Sequence, residues 1–438
     1  MAKTTTIPKL QVFIIIWLGQ IISLFGSGLT GFALGVWVYQ QTASTTLLGL
    51  VSLFTALPGI LLSPIAGAFV DRAERRWIMI LSSCGGGLAT FFLALLSLAD
   101  KLNVWHIYIG MSVISVCSTL QYLAASAAIT LLVPKRHLGR ASGMVQIGEA
   151  SARVFAPALA GLLVLNLHIQ GVLLIDFASY VFAIVTLLFI QFPEVKNTIE
   201  DRAKKASLLE ETIYGWTYIL NHPGLLALLL FFALGNFVLG MGTVLVTPML
   251  LAFTSPAVLG NVLSTGGSGM FIGSIVMSVW GGPKKRVYGM FCFGLLQGVC
   301  IILLGLRPSI PLIAVAAFGV FFSVPIITAC SQAIWQSKVA PEIQGRVFAV
   351  RRMIAWSSFP LAYLLAGPLA DYVFEPLLAS DGLLANSVGR IVGVGHGRGI
   401  GLLFIVLGII TVIVTISGYL YKPLRTVEKE MPNLILTK

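Results

Sequence analysis

Apolar residues in this chain fall into unbroken runs of about twenty or more, parted by short polar stretches. A membrane barrel would show strands of roughly ten residues with strict alternation of apolar and polar positions, and these runs are longer. A helix of about twenty residues crosses the ~30 Å of hydrocarbon in a bilayer and satisfies its own backbone groups there. The runs predict twelve helices, over 12–38, 46–70, 77–98, 105–133, 140–165, 171–192, 224–252, 257–280, 287–306, 309–337, 342–373 and 399–421. The interruption at 193–223 is charged and ends in 210–220, which reads as an amphipathic helix lying on the membrane. The stretch 375–398 is rich in glycine and reads as a loop. The expected organisation is a bundle over 1–192, a linker over 193–223 and a second bundle over 224–438.

The two halves echo each other. Ser126-Ala-Ala-Ile129 closes the fourth helix, and Pro134 with Gly139-Arg140 leads into the fifth. Ser331-Gln-Ala-Ile334 closes the tenth, and Pro341 with Gly345-Arg346 leads into the eleventh, about 205 residues later. The predicted fold is an all-α membrane protein whose twelve transmembrane helices form two pseudo-symmetric six-helix bundles, a parallel repeat.

Composition agrees with that pattern. Charged residues make up 10% of the chain and hydrophobic residues 57%, with mean hydropathy +0.96. A soluble chain carries roughly a quarter charged residues to face water, so the outer surface here must face lipid. The net charge of +12 does not point to nucleic acid, because the basic residues sit in short loops. They crowd one set of loops, at Arg72, Arg75 and Arg76, at Lys284, Lys285 and Arg286, and at Lys422 and Arg425. The other set holds only Lys101, Arg307, Arg390 and Arg398. The positive-inside rule then places both termini in the cytoplasm, and the expected home is a plasma membrane, the inner membrane of a bacterium. The first apolar run is too long for a cleaved leader. The five cysteines lie in apolar runs without a CxxC, and the five histidines are scattered, so no metal site and no cofactor are expected. G-x-x-x-x-G-K-[ST] is missing, so any pumping must draw on a gradient or a partner. No nucleophile or metal constellation of an enzyme is visible.

Between the second and third helices stands Gly67-Ala-Phe-Val-Asp71-Arg72-Ala-Glu74-Arg75-Arg76. An aspartate at a helix end can meet the positive N-terminus of another helix and nearby arginines, and so latch and release. The same charges also suit a plain solvated basic cluster. The fifth helix carries Gly148, Ala152, Ala156, Pro157, Ala160 and Gly161, small residues that let helix backbones approach, with a proline that bends the helix. The first segment resembles the loop signature of the major facilitator superfamily, G-x-L-x-D-R-x-G-R-R, with Phe69 and Glu74 as departures. The second resembles that superfamily's antiporter motif, with alanine at three glycine places. Together with the segment 341–352 they look like the enterobactin-exporter and macrolide-efflux branch, over about 19–421. The resemblance implies a secondary transporter, usually an exporter driven by proton exchange, acting as a monomer. One departure is that Gln121 is followed by Tyr122, without the arginine of the R-x-x-Q-G motif of many proton-coupled exporters.

Ionisable groups inside spans are costly and point to function. Glu149 and Arg153 share a helix face four residues apart, and Asp176 lies in the sixth helix. Glu149 is the first candidate for a titrating carboxylate and Asp176 the second; a static Glu149–Arg153 pair and a structural Asp176 are the plain alternatives. Uncharged polar candidates for the path of a small-molecule substrate are Gln20, Ser27, Gln121, Asn236, Gln332, Trp335 and Trp356. The expected activity is proton-coupled export of a small amphipathic molecule, a drug, siderophore or secondary metabolite, by alternating access. An uptake permease or lipid mover of the same fold is the second reading, and a non-transporting scaffold or sensor the third.

Overall fold

The computed structural model describes residues 9–72, 74–132, 138–189, 216–339 and 343–430. Among them are long helices and no strands. We label the long helices α1 (Lys9–Thr42), α2 (Thr45–Arg72), α3 (Arg75–Leu98) and α4 (Val104–Leu132). The next helical run, Leu138–Leu188, is broken at His168, whose φ of 53° and ψ of −174° are not helical. It is therefore two helices, α5 (138–167) and α6 (169–188). Then follow α7 (Pro223–Leu251), α8 (Pro256–Trp280), α9 (Arg286–Leu306) and α10 (Ile310–Lys338). Next are α11 (Gln344–Pro368), which runs on through a π-helical turn at Leu369–Phe374, and α12 (Arg398–Leu420). The apolar stretch Ile147–Leu188, at 42 residues, is twice the length of one crossing, so the eleven continuous apolar stretches amount to twelve spans among the described residues.

The helix ends follow local chemistry. Pro223 and Pro256 open α7 and α8, where a missing N–H is no loss. Gly281 and Gly282, at φ 72° and 80°, make the left-handed turn into α9. Leu81, Leu88, Phe92 and Leu95 of α3 are exposed on one face, as a lipid-facing helix requires.

The described residues within 1–196 and 254–264 form one compact unit, and those within 197–253 and 265–438 another. In the first, α1 packs on α5 and α6, α2 on α4, and α3 on α4 and α6. In the second, α7 packs on α11 and α12, and α9 on α10 and α12, around a core that includes Leu225, Leu228, Met290, Ile334 and Trp335. The expected surface helix over 210–220 lies mostly outside the described residues. Its last turn, 216–220, is helical, and Ile219 is fully buried in the second unit's core. Of the cysteines, all free, Cys300 and Cys330 are buried and Cys292 is exposed.

Candidate functional site

The small-residue stripe of α5 has two faces. Ala152, Ala156 and Ala160 are buried, and a Cβ added to Gly28 of α1 would stand 2.9 Å from the Ala156 methyl. A Cβ on Gly148 would press on Ile21 of α1 at 2.8 Å. The other face meets the start of α8: a Cβ on Gly161 would lie 2.6 Å from the Pro256 carbonyl oxygen. Pro157 cannot donate a backbone hydrogen bond, and the next amide, Ala158 N–H, donates to Ser264 Oγ at 3.1 Å.

In the loop motif, Arg76 donates from Nε to the Leu187 carbonyl at 3.1 Å and from Nη2 to the Leu188 carbonyl at 2.8 Å. It thereby caps the C-terminus of α6, where a cation is favoured. Arg75 is half-buried at the start of α3. The side chains of Gly67, Asp71 and Arg72 lie outside the described residues, and so does the latch expected of them.

Asp176 of α6 is fully buried, with a relative exposure of 0%. Thr90 Oγ1 of α3 stands 3.5 Å from its Oδ2, and Ser179 Oγ 3.3 Å from its Oδ1. Ser27 and Thr30 of α1 complete the ring, and Ser27 Oγ is 3.0 Å from the Tyr180 hydroxyl. Ser179 places its one proton on the Asp176 main-chain oxygen at 2.6 Å, and Thr90 has the Gly86 carbonyl at 3.1 Å. Each hydroxyl can donate to the Asp176 carboxylate or, with its proton on the main-chain oxygen, accept from a carboxylic O–H. No lysine or arginine among the described residues faces this carboxyl. Glu149, by contrast, is half-buried, and Arg153 one turn on is exposed.

A second polar cluster in the same unit joins α1, α3 and α4. Ser83 Oγ donates to Gln121 Oε1 at 3.2 Å, and Gln121 Nε2 donates to Gln20 Oε1 at 2.7 Å.

The second unit keeps its own polar groups. Arg351 donates to Gln332 Oε1 at 2.7 Å and stacks on the buried Trp335 ring at 5.2 Å, and Arg352 stacks on Trp356 at 4.8 Å. Asn236 donates to the Ala355 carbonyl at 2.9 Å and lines a mostly apolar pocket with Gln297, Thr328, Thr411 and Thr415. On the loop before α12, the Glu375 carboxylate accepts from Gly397 N–H and Ile400 N–H, both at 3.1 Å. Arg398 donates to the Gly305 carbonyl at 2.9 Å, capping α9.

The structure thus pairs Gln20 with Gln121, brings Ser27 to the Asp176 ring, and joins Gln332 to Trp335 through Arg351. Glu149 stands outside the Asp176 ring, whose described members are hydroxyl residues. Sequence reasoning missed Thr30, Thr90, Ser179, Tyr180, Ser83 and the arginine stacks. A usable signal was the three-residue spacing that puts Ser27 with Thr30, and Asp176 with Ser179, on single helix faces.

The sequence profile described as Major Facilitator Superfamily matches residues 16–363. The macrolide efflux protein A of Streptococcus pyogenes is 26% identical over 375 residues, covering 82% of this chain and 90% of that protein. The multidrug efflux pump Tap of Mycolicibacterium fortuitum is 23% identical over 357 residues, covering 79% and 86%. Among solved structures, a bacterial homologue of the human lysosomal transporter Spinster, inward-facing and unoccupied, superposes with a TM-score of 0.70. That match covers 98% of this chain and 99% of the other at 14% identity, and shows the fold.

Proposed function

The chain belongs to the major facilitator superfamily, a family of multi-pass membrane transporters, and we propose that it exports a small amphipathic molecule in exchange for protons by alternating access. It acts as a monomer in a bacterial inner membrane, with both termini in the cytoplasm. The export direction and the class of cargo rest on the efflux proteins it resembles over most of its length. Asp176 is the proton carrier. The observation that supports this is the fully buried carboxyl group in its ring of hydroxyls, without a described cation facing it. A charge at that depth is costly unless it is neutralised, so the group is suited to carry a proton in one state and release it in another.

The Asp71 motif is the cytoplasmic latch, with Arg76 holding the end of α6 in place. Energy enters as differential binding: proton and cargo favour different conformations, and each shifts the population of the other.

The test is a panel of amphipathic compounds in cells stripped of their own exporters. Wild type is compared with Asp71→Asn, Glu149→Gln and Asp176→Asn. Wild-type cells are expected to accumulate less of at least one compound, with Asp71→Asn and Asp176→Asn losing that protection. Equal accumulation in every strain for every compound would sink the export reading. Loss on Glu149→Gln with Asp176→Asn fully active would move the proton to α5.

A further inference from the structure

Inside the second unit, α7, α9, α10 and α12 leave a pocket of about 550 Å³, measured out to its mouth. Phe231, Leu239, Ile327 and Val414 are among the apolar residues of its wall, and no charged residue lines it. A Cβ on Gly235, which also lines it, would meet nothing within 4 Å, so a side chain could enter the space. In chain order α7, α9 and α12 match α1, α3 and α6, which in the first unit carry the hydroxyl ring around Asp176. In the second unit the same set carries amides and threonines around an open space.

Gln297 of α9 is the group without a task. It lines the pocket, exposes only 7% of its surface, and makes no hydrogen bond among the described residues. Its amide atoms are not sealed from a water-sized sphere, so they are open to an occupant of the pocket. A carboxamide offers N–H donors and a carbonyl acceptor side by side, and leaving both unused at this depth is costly. Asn236 of α7 spends one N–H on the Ala355 carbonyl at 2.9 Å, which leaves its own carbonyl oxygen to accept. Thr411 and Thr415 donate to carbonyls one turn earlier on α12, at 2.8 and 2.7 Å.

These features describe an occupant. Water could satisfy Gln297, but apolar walls hold water poorly. A charged molecule would lose its hydration with no counter-charge in the wall to replace it. What fits both the wall and Gln297 is an uncharged molecule with an apolar body and one group that donates and accepts together. Another carboxamide does this, by reciprocating the Gln297 amide. We propose that the pocket binds an uncharged molecule bearing a primary or secondary carboxamide on an apolar ring, held through Gln297 and Asn236. The site belongs to the second unit alone and does not depend on the export reading.

The test uses the full chain in lipid nanodiscs and follows the fluorine NMR line of the ligand, with empty nanodiscs giving the background from lipid. Four probes of equal heavy-atom count are titrated. They are 4-fluorobenzamide, 4-fluoroacetophenone (no N–H), 4-fluorocumene (no polar group) and 4-fluorobenzoate (charged). The amide is expected to broaden saturably beyond the background, the ketone to bind roughly fivefold more weakly for the loss of one hydrogen bond, and the other two not to saturate. Gln297→Met, similar in shape but without the amide, is expected to weaken 4-fluorobenzamide roughly fivefold or more. Gly235→Leu, which puts a side chain into the space, is expected to abolish its binding. No saturable response to the amide would leave the pocket to water and overturn the proposal. So would hydrocarbon or benzoate binding as tightly as the amide, or amide binding unchanged in Gln297→Met or Gly235→Leu. The four-probe comparison in the unsubstituted protein decides even if neither variant folds.

Discussion

The buried ammonium group of Lys338 donates to the main-chain oxygen of Glu428 at 2.7 Å, tying the end of α10 to the chain beyond α12. The Glu428 carboxylate meanwhile accepts from the first amides of α9, Arg286 N–H at 3.0 Å and Val287 N–H at 3.1 Å. Those amides have no partner inside their own helix, and a negative charge suits the positive end of the helix dipole. Leu424 and Val427 are buried in the core of the second unit beside Leu225 and Val287. The segment after α12 is therefore part of that unit's packing.

Removing the cap should be measurable. Glu428→Ala is expected to cost about 1–2 kcal/mol, the usual value of a helix N-terminal cap with some charge assistance. Ending the chain before Leu424 should cost more, because burial of Leu424 and Val427 is lost too, at roughly 1.5–3 kcal/mol for each side chain. Thermal unfolding in detergent checks the order: wild type highest, Glu428→Ala lower, the shortened chain lowest. A shortened chain that melts with wild type would show that the segment contributes nothing to the fold.

Arg76 makes two forked hydrogen bonds, to the carbonyls of Leu187 and Leu188. A lysine is a point donor and cannot reproduce the fork. Arg76→Lys should therefore retain only part of the effect, and Arg76→Ala none. The expected readout is faster amide exchange at the end of α6 in the order Ala, Lys, wild type. Equal exchange in all three would mean that the end of α6 is held by other contacts.

Close backbone approach makes a separate prediction. A Cβ on Gly260, at the start of α8, would collide with the Pro157 carbonyl oxygen, and a backbone atom cannot swing aside. Gly260→Ala should cost on the order of 1–3 kcal/mol by overpacking. A Cβ on Gly31 meets nothing within 4 Å. Gly31→Ala should be neutral or up to about 1 kcal/mol stabilising, since alanine favours the helix. Thermal melts of the two variants should move in opposite directions or differ clearly in size.

The helices were legible because length and punctuation act locally. The run at 224–252 and the observed Pro223–Leu251 differ by one residue at each end, and a proline explains the start. The partners of Asp176 were not legible. Thr90 lies 86 residues away, and nothing in either local sequence says which faces meet. On sequence alone Glu149, one turn from Arg153, is the first candidate and Asp176 the second, each a carboxylate in an apolar run. Burial separates them, and burial is a property of packing. The same limit hid Glu428 from Lys338, which stand 90 residues apart. The antiporter-like stripe was visible as spacing, but that its residues face both α1 and the start of α8 emerged only with the neighbours in place.

Asp176 supplies the most direct functional prediction. Asparagine keeps the shape and can still hydrogen-bond to Thr90 and Ser179, but has no proton to release. Asp176→Asn should therefore fold and bind cargo, and should still exchange labelled for unlabelled cargo across a vesicle membrane. It should lose accumulation driven by an imposed pH gradient, because the proton no longer distinguishes the two conformations. Asp176→Leu removes the hydrogen-bonding group as well and leaves buried hydroxyls facing a methyl group. It should melt earlier, by about 1–3 kcal/mol in stability. Thr90→Val tests the ring in the same assay: it takes away one hydroxyl while sparing the carboxyl group, so coupling should persist with an altered pH dependence. If Asp176→Asn vesicles accumulate cargo under the gradient as wild type does, the carboxyl group of Asp176 is structural and the proton is carried elsewhere.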